Sequence, residues 1–407
     1  MSEAHALHRR EFLQAGAVAT AAALAAAPGP AHSQETKART ELPRRRLGRT
    51  GVDVTILNQG TWRAPGALDR LLRFAYAQGI RYFDTAKSYG SEGGFKRWFQ
   101  AMPEVRKEIF LVTKDHPRTP RELARQIDER LEALGTDYLD LIFIHALGDH
   151  DIATEIEWPK SREFQEAAEA IRKSGKCRFV GFSTHHPRRA EILQNAAKGG
   201  FVDVIMLQLT GWLPKDSALD RALDACHKAG IGLVSMKQVA GQLNTPTNPL
   251  NQVYERAPVL KEKGLTPYQG LLHAIWTDER ISSSCVSMRT LDQVRENAEA
   301  ARRFEPLTTA QIHQIRDACL AAGPTLCADC DGRCARAGGT EAALGELTRF
   351  LTYHEHHGYR GEARRLYHEL TGAQRAWQGA DLEAARNACP NRLDFARLLP
   401  EADRLLA

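Results

Sequence analysis

The chain reads as an α/β protein built as a closed (β/α)8 TIM barrel, with an N-terminal signal peptide ahead of it and a small α-helical C-terminal module behind it. The first observation behind this reading is alternation. Short apolar runs at 55–59, 82–84, 109–114, 139–145, 178–182, 204–207, 232–235 and 284–286 are separated by amphipathic stretches. In 121–134, for example, Leu123, Ile127, Leu131 and Leu134 fall on one helical face. The second is punctuation: Gly79, Gly135, Gly175 and Gly230 each stand after a helical stretch and before a strand, where a helix C-terminal glycine belongs. The third is a set of polar residues at the ends of successive apolar runs: Asp84, with Tyr89 five residues on, then Lys114, then His145. Strand ends of a parallel barrel converge on one mouth. A doubly wound open sheet is the alternative, but no G-x-G-x-x-G opens the first unit.

The N-terminus precedes that alternation. Arg9-Arg10-Glu11-Phe12-Leu13-Gln14 leads into a mildly apolar run over 15–27, and Pro28-Gly29-Pro30-Ala31-His32-Ser33 follows. A basic pair, a short weakly hydrophobic segment and a small-residue region make an export signal of the twin-arginine kind over 1–33, with cleavage after Ser33. The expectation is a protein exported by the twin-arginine machinery to the periplasm or another extracytoplasmic space. A linker would occupy 34–45, the barrel 46–305 and the helical module 306–407. The balance of 55 Lys+Arg against 50 Asp+Glu is mild, and the basic residues are not interleaved with aromatics, which argues against a nucleic-acid partner. No apolar run reaches membrane-spanning length, so no membrane span is expected after cleavage.

Asp, Tyr, Lys and His gathered at one mouth have a definite chemical use. A free phenol is a poor acid at neutral pH, and a lysine ammonium beside it favours the phenolate and pulls its pKa down. Asp84 would keep Lys114 charged and in place, a neutral His145 would orient a carbonyl, and Tyr89 would supply the proton to its oxygen. The substrate would then be a small carbonyl compound or the corresponding alcohol.

Five motifs in order resemble the aldo/keto reductase family: Phe83-Asp84-Thr85-Ala86…Tyr89-Gly90-Ser91-Glu92, Thr113-Lys114, Ile144-His145, Gly181-Phe182-Ser183 and Glu296-Asn297. The segment from Arg46 to Val54 resembles the hairpin that closes the barrel bottom in that family, and the likeness runs to about Ala301. It implies NADP(H)-dependent reduction of an aldehyde or ketone, or the reverse. For the cofactor it implies Ser183 and Gln208 on the nicotinamide amide, with Thr184 where asparagine is usual and Met236 where an aromatic often stacks. Val286-Ser287 stands in place of a Pro-Gly pair. Arg289, Gln293 and Asn297 match the positions that contact the adenosine phosphate and adenine, and an arginine there favours NADP(H).

Cys327, Cys330, Cys334 and Cys389 in the tail resemble the ferredoxin-like appendage of some bacterial members, whose cysteines bind [4Fe–4S] clusters. The spacing departs from the usual run, so one cluster, a zinc site or disulfides all stay open. His185-His186 and the histidines at 354, 356 and 357 lack metal-ligand spacing and read as loop residues. The polar loops at 148–160 and 241–257 are the expected determinants of specificity, with Trp62, Trp98, Trp158 and Trp212 as candidates for an apolar wall. A non-catalytic barrel, carrying a redox cluster or serving as an interaction subunit, is the reading of a different class.

Overall fold

Period-two alternation within the strands decides which side chains face the barrel interior. In β6 (Leu139–Ile144), Leu141 and Phe143 enter the lumen cluster while Ile142 and Ile144 pack outward against helices. The computed structural model describes residues 41–63, 68–238, 249–321, 327, 332–355, 360–389 and 392–407, all within one compact unit. The signal segment and the start of the linker lie outside them.

The strands are β1 (Arg44–Arg46), β2 (Asp53–Thr55), β3 (Leu57–Gly60), β4 (Tyr82–Asp84), β5 (Phe110–Asp115), β6, β7 (Cys177–Thr184), β8 (Val204–Gln208), β9 (Gly232–Met236) and β10 (Ile281–Val286). From β3 to β10 they pair in parallel and close into an eight-stranded barrel, β10 meeting β3 through Ser284 opposite Leu57. Helices such as Leu68–Ala77, Pro120–Leu134, Arg162–Lys173 and Ala218–Lys228 pack their apolar faces on the outside. The predicted barrel is the observed one.

β1 and β2 form the anticipated antiparallel hairpin across the barrel bottom. Leu47 is fully buried in the lumen cluster. Gly48, at φ +51°, lies so close to β9 that an added Cβ would sit 2.3 Å from the Gly232 nitrogen, so only glycine fits.

Two strand boundaries depart furthest from expectation. The first predicted strand, 55–59, divides between β2 and β3. β10 begins at Ile281, three residues before the predicted start at 284, because its serines are buried with their hydroxyls satisfied. Ser282 donates to Arg46 O at 2.9 Å, Ser283 to Thr55 O at 2.8 Å, and the Ser284 and Ser235 hydroxyls lie 2.8 Å apart. Apolarity alone does not reveal a strand whose polar side chains bond to its neighbours.

In the tail, the expected helical module contains helices Thr309–Ala321, Leu344–Glu355, Arg360–Glu369 and Phe395–Leu406, with three short helices between them among the described residues. Thr309–Ala321 packs through Ile315 and Cys319 against Leu260, Leu265 and Leu271 of the barrel segments. The later helices share their own apolar cluster, centred on Leu344, Leu347, Leu351, Phe395 and Leu398.

Below the strands a buried ion pair fixes register. Asp140 at the start of β6 accepts from Arg106 Nη1 at 3.0 Å, Arg178 Nη1 at 2.7 Å and the Leu111 amide at 2.9 Å. Arg106 and Asp140 side chains are 7% and 3% exposed. Asp140→Ala leaves that guanidinium buried without its counter-charge, so urea unfolding should show a loss of about 3–5 kcal/mol. A loss under about 1 kcal/mol would place the pair with exposed, dispensable ones.

Candidate active site

The same alternation carries the site. Tyr82, Phe110 with Val112, and Leu141 with Phe143 face the lumen, so Asp84, Lys114 and His145, two residues beyond an inward residue in each case, also point inward at the mouth. Tyr89 reaches the same place from the short turn Lys87–Tyr89, which follows β4 and ends on Gly90 at φ +65°. The structure thus brings together all four residues that the sequence singled out.

Lys114 is 1% exposed and Asp84 2%. The Lys114 ammonium donates to Asp84 Oδ1 and, at 2.9 Å, to Thr85 O. Its Nζ lies 5.1 Å from the Tyr89 ring centroid. Burial opposes a charge on Lys114, but Asp84 and Tyr89 outweigh it and hold the ammonium above the usual lysine range. Tyr89 Oη is 3.4 Å from His145 Nε2. Burial, then the charges of Lys114 and His116, keep the His145 imidazole well below its usual pKa, and it is neutral at pH 7. Tyr89 differs from expectation. Burial pushes its phenol up to about 12, and the pull of Lys114 only partly offsets that. Desolvation of the phenolate exceeds the attraction of one ammonium already neutralised by Asp84.

The turn that carries Tyr89 is fastened by its own motif. Ser91 Oγ lies 2.9 Å from Thr61 Oγ1 and 2.7 Å from Thr85 Oγ1. Glu92 accepts from Thr113 Oγ1 and from Arg130 Nη1, each at 2.8 Å, and Arg130 also faces Asp115. The motif residues around the tetrad therefore tie β3, β4 and β5 together at the mouth.

The cofactor candidates divide by the same parity. Ser183 points inward; it accepts from the Ala146 amide at 3.0 Å and keeps its hydroxyl hydrogen to give. Gln208 points inward as well, and its Oε1 is buried with no partner among the described residues. That buried orphan acceptor suits an amide N–H, which fits the residues to a nicotinamide. Thr184 points the other way: its hydroxyl donates to Leu147 O at 2.8 Å and holds the loop, so it is not part of the lumen set. Met236 ends β9 half-buried, and Ser287 stands half-buried beside Gly60. Gln293 spends its amide oxygen on the Arg289 and Thr290 amides, capping helix Leu291–Arg302. Asn297 is buried on that helix. Arg289 is half-buried and, among the described residues, makes no ion pair, so its guanidinium is available to an anion.

The rim of the mouth is polar. The His116 ring lies 4.4 Å from His145 and 5.6 Å from His150. His185 Nε2 sits 3.4 Å from Asp149 Oδ2. Burial lifts Asp149 to about 7, with Lys237 opposing and Glu155 adding to the lift, and smaller contributions from Glu369 and Arg349 of the tail. The tail meets the mouth loops elsewhere too: Arg63 Nη2 pairs with Glu362 Oε2 at 2.6 Å, and Gly332 lies beside Pro187. Asp149 falls in the polar loop 148–160 expected to set specificity, whereas His116 and these tail residues carried no signal in the sequence, because their proximity arises from loops and from residues far apart in the chain.

Two tryptophans expected at the mouth are elsewhere. Trp98 is fully buried on an outer helix against Phe83 and Phe95, and Trp158 packs into the helix–sheet layer. Trp62 follows β3 under the Arg63 guanidinium, 4.7 Å from its centre, and Trp212 is buried against Val253 and Leu271. Of the tail cysteines, Cys334 and Cys389 are buried in the module's apolar cluster, Cys327 Sγ lies against Gly345, and Cys330 falls outside the described residues. Among the described residues, no group of three or more His, Cys, Asp or Glu side chains is placed to hold a metal.

Known proteins agree with this geometry. The aldo/keto reductase family model matches residues 58–319. L-galactose dehydrogenase of Arabidopsis thaliana is 27% identical over 295 residues, covering 66% of this chain and 91% of the plant protein. L-glyceraldehyde 3-phosphate reductase of Escherichia coli O157:H7 is 24% identical over 327 residues, covering 67% of this chain and 90% of that protein. Among solved structures, the holo form of an aldo-keto reductase from Bacillus halodurans shares the fold, with TM-score 0.56, 20% identity and coverage of 68% of this chain and 96% of that one. The chain belongs to the aldo/keto reductase family and is an oxidoreductase of carbonyl compounds and alcohols.

Proposed function

We propose that this chain reduces the aldehyde or ketone of a small hydroxylated compound, or oxidises the matching alcohol, with NADP(H) and with Tyr89 as the proton donor. The observation that carries this reading is the buried Lys114–Asp84 pair set against Tyr89, with Tyr89 Oη within reach of neutral His145. A nicotinamide bound against Ser183 and Gln208 supplies hydride. The protein does the rest. His145 donates a hydrogen bond to the carbonyl oxygen and sets its approach, and Tyr89 passes its proton to that oxygen as charge develops. Lys114 stabilises the phenolate left behind, and Asp84 keeps Lys114 from neutralising it by proton loss. With the phenol near 12, reduction finds Tyr89 protonated across the neutral range, while oxidation draws on the phenolate and rises with pH.

Two further points support the substrate and cofactor. The rim offers imidazoles and a carboxyl at His116, His150, His185 and Asp149, which suit hydroxyl groups better than an apolar ring system. The relatives named for galactose and glyceraldehyde phosphate act on compounds of that kind. Arg289, just before helix Leu291–Arg302 and without an ion pair among the described residues, suits a 2′-phosphate. Export by the twin-arginine route, supported by Arg9-Arg10 and the small-residue region ending at Ser33, completes the proposal. The tail cysteines take no part in the chemistry proposed here.

Tyr89→Phe and Lys114→Met should each lower turnover by about a hundredfold or more while the far-ultraviolet spectrum stays native. Near-normal reduction by either variant defeats the assignment. Arg289→Ala should weaken NADPH by about 1.5–3 kcal/mol and leave NADH nearly untouched, read by fluorescence titration of each nucleotide. Equal weakening of both removes the phosphate role.

A further inference from the structure

The match to the family model stops at residue 319, and the later helices of the tail lie beyond it. Two anchors join those helices to the barrel mouth. At one, Glu362 Oε2 accepts from Arg63 Nη2 at 2.6 Å, with the two side chains 14% and 25% exposed. Arg63 stands just past the end of β3, its guanidinium over the Trp62 ring. At the other, Gly332 lies against the loop between β7 and helix Arg189–Gly199. A Cβ on Gly332 would sit 3.4 Å from both the Pro187 side chain and its carbonyl oxygen. Arg188 of the same loop faces Glu341 at 3.9 Å.

These anchors stand on opposite sides of the opening. Around the closed barrel, three strands separate β3 from β7 in either direction: β4, β5 and β6 one way, β8, β9 and β10 the other. A body that rests on both loops therefore crosses the mouth. The later helices are such a body. Cys334 and Ala335, next to Gly332, and Ala363, next to Glu362, belong to one apolar cluster. Helix Leu344–Glu355 packs against both helix Arg333–Ala337 and helix Arg360–Glu369 and so links the two anchors. Arg349 on that linking helix is 3% exposed, and its charge bears on Asp149 and His185 of the rim. The crossing also divides the site. Asp84, Tyr89, Lys114 and His145 belong to the β4–β6 side, and Gln208, Met236 and Arg289 to the β8–β10 side.

We propose that the C-terminal module is a strap across the mouth that limits substrate size, with the Arg63–Glu362 pair holding it down, a role that rests on the reading of Tyr89 given above. Short hydroxylated aldehydes pass beneath the strap to Tyr89 and His145. Compounds that carry a ring or a second sugar unit beyond the reacting end meet the strap. Reversing one charge of the pair sets two like charges face to face in a partly buried contact, and the strap lifts on the β3 side.

The test compares NADPH-dependent reduction of glyceraldehyde and of its 3-O-benzyl ether, which share the reacting carbonyl and differ in bulk at the far end. The full chain is used as wild type, Glu362→Arg, Arg63→Glu, the double variant carrying both, and Tyr89→Phe. In each single reversal, kcat/KM for the ether relative to glyceraldehyde should rise about tenfold through a fall in KM for the ether, while kcat for glyceraldehyde stays within about twofold of wild type. The double variant re-forms the pair with its charges exchanged, and its ratio should return to that of wild type. Glu362→Gln, which removes the pair without repulsion, serves if a reversed charge prevents folding, and the same rise is expected of it. A ratio unchanged in the single variants, with Tyr89→Phe inactive, overturns the strap and leaves the tetrad standing, even where the melting temperature falls. A ratio still displaced in the double variant shows local damage instead of opening, and that too overturns the strap. An active Tyr89→Phe overturns the tetrad reading and the strap with it.

Discussion

A lysine almost wholly shut off from water at the barrel mouth is the constraint around which the rest of the site is organised. An unpaired ammonium in that place would cost several kcal/mol and would shed its proton instead. Lys114 keeps its charge because Asp84, one strand away, and the carbonyl of Thr85 receive its hydrogens. That arrangement needs β4 and β5 in fixed register, Phe83 opposite Leu111. The Thr61–Ser91–Thr85 hydroxyl chain and the Glu92–Arg130 pair then hold the Tyr89 turn over the ammonium. Residues that look like a sequence motif for chemistry are thus divided between the four proposed to react or orient and several that fasten the turn.

Desolvation accompanies a site built around a buried lysine, and it reverses one expectation about the phenol. A lysine near a tyrosine suggests a depressed phenol. Here burial exceeds the single attraction, because the ammonium's field is largely spent on Asp84. A phenol that stays protonated suits delivery of a proton. In the mechanism proposed it also leaves the reverse direction dependent on pH, so the same packing would set the two directions of one reaction apart.

Much of the fold was legible because barrel strands are short, apolar and regularly punctuated. Asp84, Lys114 and His145 were readable for the same reason: each interrupts an apolar run at its end, and parity with the inward residues sends them to the mouth. Parity also explains the division between Ser183 and Thr184, which a motif match treats alike. The serine-rich β10 was readable only in its last residues, since hydroxyls bonded to neighbouring strands leave no apolar signature. Trp98 and Trp158 look like mouth residues only until helix packing places them in the outer layer. The approach of Glu362 to Arg63 joins residues some 300 positions apart. No local pattern encodes such meetings.

The site depends on Asp84 holding Lys114 charged where burial would neutralise it. The direct measurement is the titration of Lys114 by the 13Cε chemical shift, assigned through Lys114→Arg, in the wild-type chain and in Asp84→Asn. The predicted result is an ammonium that stays protonated through pH 10 in the wild type and titrates several units lower, toward the neutral range, in the variant, as buried lysines without a counter-charge do. A Lys114 resonance with the same midpoint in both proteins would contradict it.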